Sequence, residues 1–135
     1  NVFTAEQTTP SVNVATLAPV TGSVAGNRQP YAPRTTVTAA LGFAHDRFDG
    51  EIEAQHVGEQ FTDFANTVAP SADGQRGLIA AHTVWNATLN FRASGRLTLF
   101  ATVKNLGDKT YITDRTRGIQ VGQPRLIQAG ARYTF

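Results

Sequence analysis

Cysteine is absent from the 135 residues, which removes thiol catalysis, disulfides and Cys-based zinc sites. No run of about 18 apolar residues occurs, so no helix of this chain can span a bilayer. A surplus of one charge sign is missing too. Twelve Lys and Arg stand against ten Asp and Glu, and a net charge of +2 is too small and too scattered for a nucleic-acid footprint. The three histidines, His45, His56 and His82, lie far apart without metal-ligand spacing. There is no Gly-rich loop leading into a helix for phosphate and no nucleophile elbow. The chain is therefore expected not to be an enzyme and to need no cofactor. Its start, Asn1-Val2-Phe3-Thr4, offers no initiator Met, basic stretch or apolar run, which predicts either processing or a piece of a longer protein. The organisation of the chain favours the second.

What the sequence does have is alternation. Helical periodicity is lacking, whereas period-2 patterning marks five segments. Residues 36–44 set Val37, Ala39, Leu41 and Phe43 against small or hydroxyl residues, and residues 50–56 set Ile52 and Ala54 against Glu51, Glu53 and Gln55. Residues 84–92 carry Trp85, Ala87, Leu89 and Phe91 on one face. Residues 96–104 carry Leu97, Leu99, Ala101 and Val103, with Phe100 an apolar exception on the other face. The last segment, 125–135, aligns Ile127, Ala129, Ala131, Tyr133 and Phe135 on one face, while Gln128, Gly130, Arg132 and Thr134 share the other with Leu126. Most of these lengths approach the roughly 9–11 residues a tilted strand needs to cross a bilayer. A partial strand is expected at Val2, Phe3 and Thr4.

Connections alternate in length. Residues 45–49 and Ala93-Ser94-Gly95 are short turns, while 6–33, 61–83 and 105–124 are long and rich in Gly, Asp, Asn and Pro. Short turns at one end and long loops at the other are the plan of a transmembrane barrel. Aromatics follow the same division: Phe43, Phe48, Phe91, Tyr133 and Phe135 at the short-turn end, and Tyr31, Phe61, Trp85 and Tyr111 at the other. Such girdles flank an apolar band at membrane interfaces. A soluble β-domain binding an apolar ligand shares the alternation, and a passive porin shares both the alternation and the terminal Phe. The fold expected is all-β: an antiparallel transmembrane β-barrel segment of about five complete strands plus a partial one.

The C-terminal residues Ile127, Ala129, Ala131, Tyr133 and Phe135 resemble the terminal-strand signal by which the barrel assembly machinery recognises outer-membrane proteins. Asn105-Leu106-Gly107-Asp108-Lys109-Thr110-Tyr111 resembles the NL-x-D-K-x-Y stretch of TonB-dependent receptors, and Gly122-Gln123-Pro124-Arg125 resembles the G-x-PR lead-in to their last strand. Upstream, Gly26-Asn27-Arg28-Gln29-Pro30-Tyr31-Ala32-Pro33-Arg34 and Val57-Gly58-Glu59-Gln60-Phe61-Thr62-Asp63 resemble lead-ins to an earlier strand and to the next long loop. These occur in the family's order, closest to the ferric-siderophore and ferric-citrate type.

The resemblance implies that residues 1–135 are the C-terminal part of a barrel of about 22 strands, with the plug and TonB box N-terminal to it. It implies a gram-negative outer-membrane receptor for a ferric siderophore or similar chelate, energised by the TonB complex through the missing N-terminal part, and bounded by outer-membrane lipid. Asn105, Leu106, Asp108, Tyr111, Pro124 and Arg125 then have architectural roles: Asn105 and Asp108 as turn formers, Pro124 where a strand begins and a missing N–H is tolerated. Arg115 and Arg117, in the last long loop, are the candidate contacts to an anionic chelate, since guanidinium pairs bidentately with carboxylate. Glu51 and Glu53 are expected to meet Arg92 across strands.

Overall fold

A computed structural model describes residues 5–135. The partial strand expected at Val2, Phe3 and Thr4 lies outside the described residues. Seven strands are formed among the described residues: β1 (Thr36–His45), β2 (Phe48–Val57), β3 (His82–Arg92), β4 (Leu97–Lys104), β5 (Ile112–Asp114), β6 (Gln120–Val121) and β7 (Leu126–Tyr133). Five of them make one sheet in the order β1-β2-β3-β4-β7, and β5 pairs with β6 alone. The five alternating segments are the five strands of the main sheet, each within two residues of its expected start and end. The β5–β6 pair was not expected; two and three residues are too short to show a period, and a register shift between Ile112 and Asp114 blurs it further.

Two compact units divide the chain. One holds the sheet: Val37–His56, Thr83–Thr110 and Gln123–Phe135. Its first hairpin turns on two residues, Asp46 and Arg47, with Asp46 at a positive φ of 51° that a short polar side chain tolerates. The turn from β3 to β4 is closed by the Ser94 hydroxyl, which accepts from the N–H groups of Arg96 (3.3 Å) and Leu97 (3.2 Å). Register then carries the alternation across the sheet. Leu89 faces Ala101 and Ala101 faces Ala129; Val103 lies between Ala87 and Ile127; Leu99 lies between Phe91 and Ala131. One face is thereby apolar from strand to strand, and the other presents Thr88, Thr102 and Gln128 in a row.

Phe100, the exception on the polar face, stands directly opposite Gly130, and a Cβ at Gly130 would come within 2.5 Å of its ring. The ring covers a glycine in the neighbouring strand, an aromatic rescue of a position that otherwise packs nothing. Phe43 covers Gly50 in the same way on the apolar face, within 2.9 Å of where a Cβ would sit.

Within this unit the apolar face is bare. Leu41 is 73% exposed and Ile127 66%, and Val37, Phe43, Trp85, Leu89 and Leu99 are exposed as well. The buried hydrophobic residues among those described are Ile79 and Val84. A soluble sandwich would fold this surface inward as its core, so a continuous bare apolar face is the mark of a surface that meets another apolar phase or partner. At the short-turn end Phe48 stacks on Phe91 (4.7 Å between centroids) and Tyr133 meets Phe135 edge-on (5.4 Å), which gathers the expected aromatics.

The other unit comprises the described part of Asn1–Thr36 with Val57–His82 and Tyr111–Gly122, which are the three long connections. Here Tyr31, Phe61 and Tyr111, expected as a girdle, engage other residues of the connections, while Trp85 stays exposed in β3.

Candidate functional site

On the polar face of the sheet, side chains pair across β2 and β3. Asn90 donates to Asp49 (2.8 Å) and Asn86 donates to Glu53 (2.8 Å). Arg92 does not reach Glu51 or Glu53. It pairs with Asp49 (3.6 Å) and donates to the Asp46 carbonyl (2.8 Å). The register of β3 on β2 explains the difference: the Arg92 N–H donates to the Arg47 carbonyl (2.8 Å), which levels Arg92 with the turn and leaves Glu53 beside Asn86 farther along the strand.

The relay continues from Asn86 to Asn105. The Asn86 side-chain oxygen accepts from the Asn105 N–H (3.1 Å), and Asn105 is only 2% exposed. Its amide donates to the carbonyls of Lys109 and Gln123 (both 2.9 Å), and its oxygen accepts from the Lys109 N–H (2.9 Å). Asn105 and Asp108 both sit at φ 49°, where Asn and Asp are among the few non-glycine residues at ease. Asp108 in turn accepts from the Arg125 N–H (3.0 Å) and lies 3.7 Å from its guanidinium. The Leu106 N–H donates to the Trp85 carbonyl (2.7 Å), and Pro124 precedes β7. Most of the motif residues therefore tie the end of β4 to the start of β7. Tyr111, in the other unit, stacks on His82 (4.3 Å) and lays its ring over Gly122, where no side chain would fit.

In the unit of long connections, Asn66 clasps both backbone groups of Arg28: Arg28 N–H donates to its oxygen (2.7 Å) and its amide donates to the Arg28 carbonyl (2.8 Å). The Arg28 guanidinium lies 4.4 Å over the Phe61 ring and 2.9 Å from Glu59. The Tyr31 hydroxyl accepts from Thr116 (3.2 Å) and from the Arg115 N–H (3.4 Å). Sequence reasoning had no means of finding Asn66 or Gly74, which partner residues far along the chain.

Of the two arginines expected to meet a ligand, Arg117 is exposed and Arg115 is 4% exposed. Arg115 donates to the Gly74 carbonyl (3.1 Å), and its Nε has no hydrogen-bond partner among the described residues. No cluster of three or more His, Asp or Glu that could hold a metal ion occurs among the described residues.

Asp114 is the acidic neighbour of this pair. The Thr116 hydroxyl (2.6 Å) and the Thr116 N–H (3.0 Å) hold its carboxyl down to about 2, with smaller help from Tyr31 and the Arg115 N–H. Because the folded value lies below the ordinary 3.8, the ionised carboxylate stabilises this loop above about pH 4 and that contribution fades as pH falls toward 2. A carboxyl-carbon NMR titration is expected to give a midpoint near 2 for Asp114, and Thr116→Val should move it back toward 3.8. An unshifted midpoint in the wild-type protein would refute the Thr116 contact.

The family described as "TonB dependent receptor-like, beta-barrel" matches residues 2–106. The ferric citrate transporter FecA, in its unliganded form, is 31% identical over 80% of this chain with a TM-score of 0.70. The siderophore receptor PiuA from Acinetobacter baumannii shares the fold at TM-score 0.75 over 95% of the chain, with 16% identity. The ferric yersiniabactin uptake receptor FyuA from Yersinia pestis does so at 0.67 over 82%, with 22% identity. The chain covers 18% of the length of each of these three proteins.

Proposed function

Because this chain belongs to the TonB-dependent receptor β-barrel family, we propose that residues 1–135 form the C-terminal part of the barrel of an outer-membrane receptor that takes up a ferric siderophore or a similar chelate. The observation that carries this reading is the sheet itself: one face is apolar and bare across its strands, as outer-membrane lipid requires, and the other carries Asp49, Glu53, Asn86 and Asn90, as a wet lumen requires. An open sheet would leave backbone groups unpaired in lipid, so the remaining strands and the plug are assigned to the rest of the protein. Uptake is driven by the TonB complex acting on that plug. The terminal residues Ile127, Ala129, Ala131, Tyr133 and Phe135 serve the barrel assembly machinery. The family consists of transport receptors, which agrees with a role without catalysis.

For the cargo, identity to a ferric citrate transporter favours a chelate rich in carboxylates. Arg117 is the direct contact in this reading, since it is exposed, and Arg115 becomes one only where the Gly74 carbonyl gives it up. Iron-55 citrate uptake by cells carrying the full-length protein is expected to require TonB. Arg117→Glu is expected to weaken binding about tenfold, equivalent to about 1.4 kcal/mol. Uptake that persists without TonB would make the protein a passive channel instead.

A further inference from the structure

Residues 112–121 fold as a hairpin of their own. β5 and β6 pair with each other, the Gly118 N–H closes the tip on the Arg115 carbonyl (3.1 Å), and the Gly122 N–H closes the base on the Tyr111 carbonyl (2.8 Å). Gly118 has a φ of +99° and Gly122 lies under the Tyr111 ring, so tip and base both depend on glycine. Such a hairpin keeps its internal bonds whether or not it touches the rest of its unit.

Its ties to the other two connections are few and mostly made by side chains. Arg115 reaches the Gly74 carbonyl at 3.1 Å, and the Tyr31 hydroxyl meets Thr116 at 3.2 Å and the Arg115 N–H at 3.4 Å. Ile119 packs on Gly74, where an added Cβ would lie 3.3 Å from its Cγ1. At the base Tyr111 stacks on His82.

The first and second connections are joined differently. Backbone or carboxamide bonds run from Tyr31 N–H to the Phe61 carbonyl (2.8 Å), from Gly58 N–H to the Thr35 carbonyl (2.8 Å) and from the Asn27 amide to the Phe64 carbonyl (2.8 Å), besides the Asn66 clasp on Arg28. These are shorter and more numerous than the ties to the hairpin.

Two features mark the hairpin's contact as a latch that holds without being fully satisfied. Arg115 is buried with its Nε unmet among the described residues, so release to water would supply the missing partner. Tyr31, which receives the hairpin, is held at a φ of 56°, a conformation a bulky side chain keeps only when its surroundings impose it.

We propose that residues 112–121 are a strap, latched by Arg115 on Gly74 and by Thr116 on Tyr31, that swings away as one piece while the first two connections stay clasped. The latch closes without cargo, and its test uses the full-length protein in detergent without ligand. Spin labels are attached at Gln75→Cys and Gln120→Cys, a pair spanning the latch, and at Ala25→Cys and Ala65→Cys, a pair spanning the clasp, with other cysteines removed. Electron–electron distance measurements should give a mainly short distance across the latch. Arg115→Ala should raise the long-distance fraction severalfold, and Gly74→Ala, which wedges Ile119 and adds a Cβ at φ +73° while leaving Arg115 in place, should do the same. The clasp distance should not change in either variant. An unaltered latch distance in both variants overturns the proposal, and so does a clasp that loosens together with the latch, because the strap would then have no motion of its own.

Discussion

Replacing Asn105 by Asp in the full-length protein is expected to destabilise it more than replacing it by Ala, although Asp is the closer isostere. The Asn105 amide donates to two carbonyls, those of Lys109 and Gln123, and the residue is buried. Alanine takes this donor from both carbonyls, at about 0.5–1.5 kcal/mol for each part-buried bond, and adds about 1 kcal/mol because it lacks the short polar side chain that eases asparagine into positive φ. A loss of roughly 2–4 kcal/mol follows. Aspartate keeps the acceptor for the Lys109 N–H but turns a carboxylate oxygen onto two carbonyl oxygens, which adds repulsion to the lost bonds. Glycine tolerates the φ of 49° and so recovers the backbone part alone. Urea midpoints in detergent should therefore fall in the order Asn, Gly, Ala, Asp. A variant with Asp that unfolds at the wild-type midpoint would show that Asn105 is not the hub joining β4 to β7.

Asn105 also shows what could be read before the fold was known. Its turn-forming role is local, because the bonds to Lys109 span four residues. Its bond to Gln123 spans 18 and comes into view only once β4 and β7 are neighbours. The five strands were legible because each turns a mainly apolar face outward, so alternation is not mixed with the two-sided burial of a core strand. Phe100 broke that alternation for a reason lying in another strand, at Gly130. Arg92 pairs with Asp49 and not with Glu51 or Glu53 because β3 lies on β2 in a register that levels it with the Arg47 carbonyl, and a long connection leaves that register unwritten in the local sequence. In the long connections almost nothing was legible. Tyr31 and Thr116 are 85 residues apart, and no local pattern signals that a loop arginine such as Arg115 will be buried against a distant carbonyl.

The bare apolar face makes the second large prediction, and a pair of adjacent substitutions separates its possible partners. Ala101 sits mid-strand on that face between Leu89 and Ala129, and Thr102 sits on the opposite face between Thr88 and Gln128. If lipid covers the apolar face, Ala101→Arg places a charge near the bilayer midplane at a cost of about 2–4 kcal/mol. Thr102→Arg puts the same side chain into a polar, hydrated lumen and should cost less than about 1 kcal/mol. The folded outer-membrane fraction, read as the species that shifts on a gel after heating, should fall steeply for Ala101→Arg and stay near wild type for Thr102→Arg. The control matters because the two positions are adjacent in one strand and receive the same arginine, so the main difference is the direction in which it points. Equal tolerance of the two arginines would mean that the apolar face meets water or an adaptable partner, and greater damage at Thr102 would place the packed interior on the polar side. Either result would remove the lipid-facing wall on which the receptor reading stands.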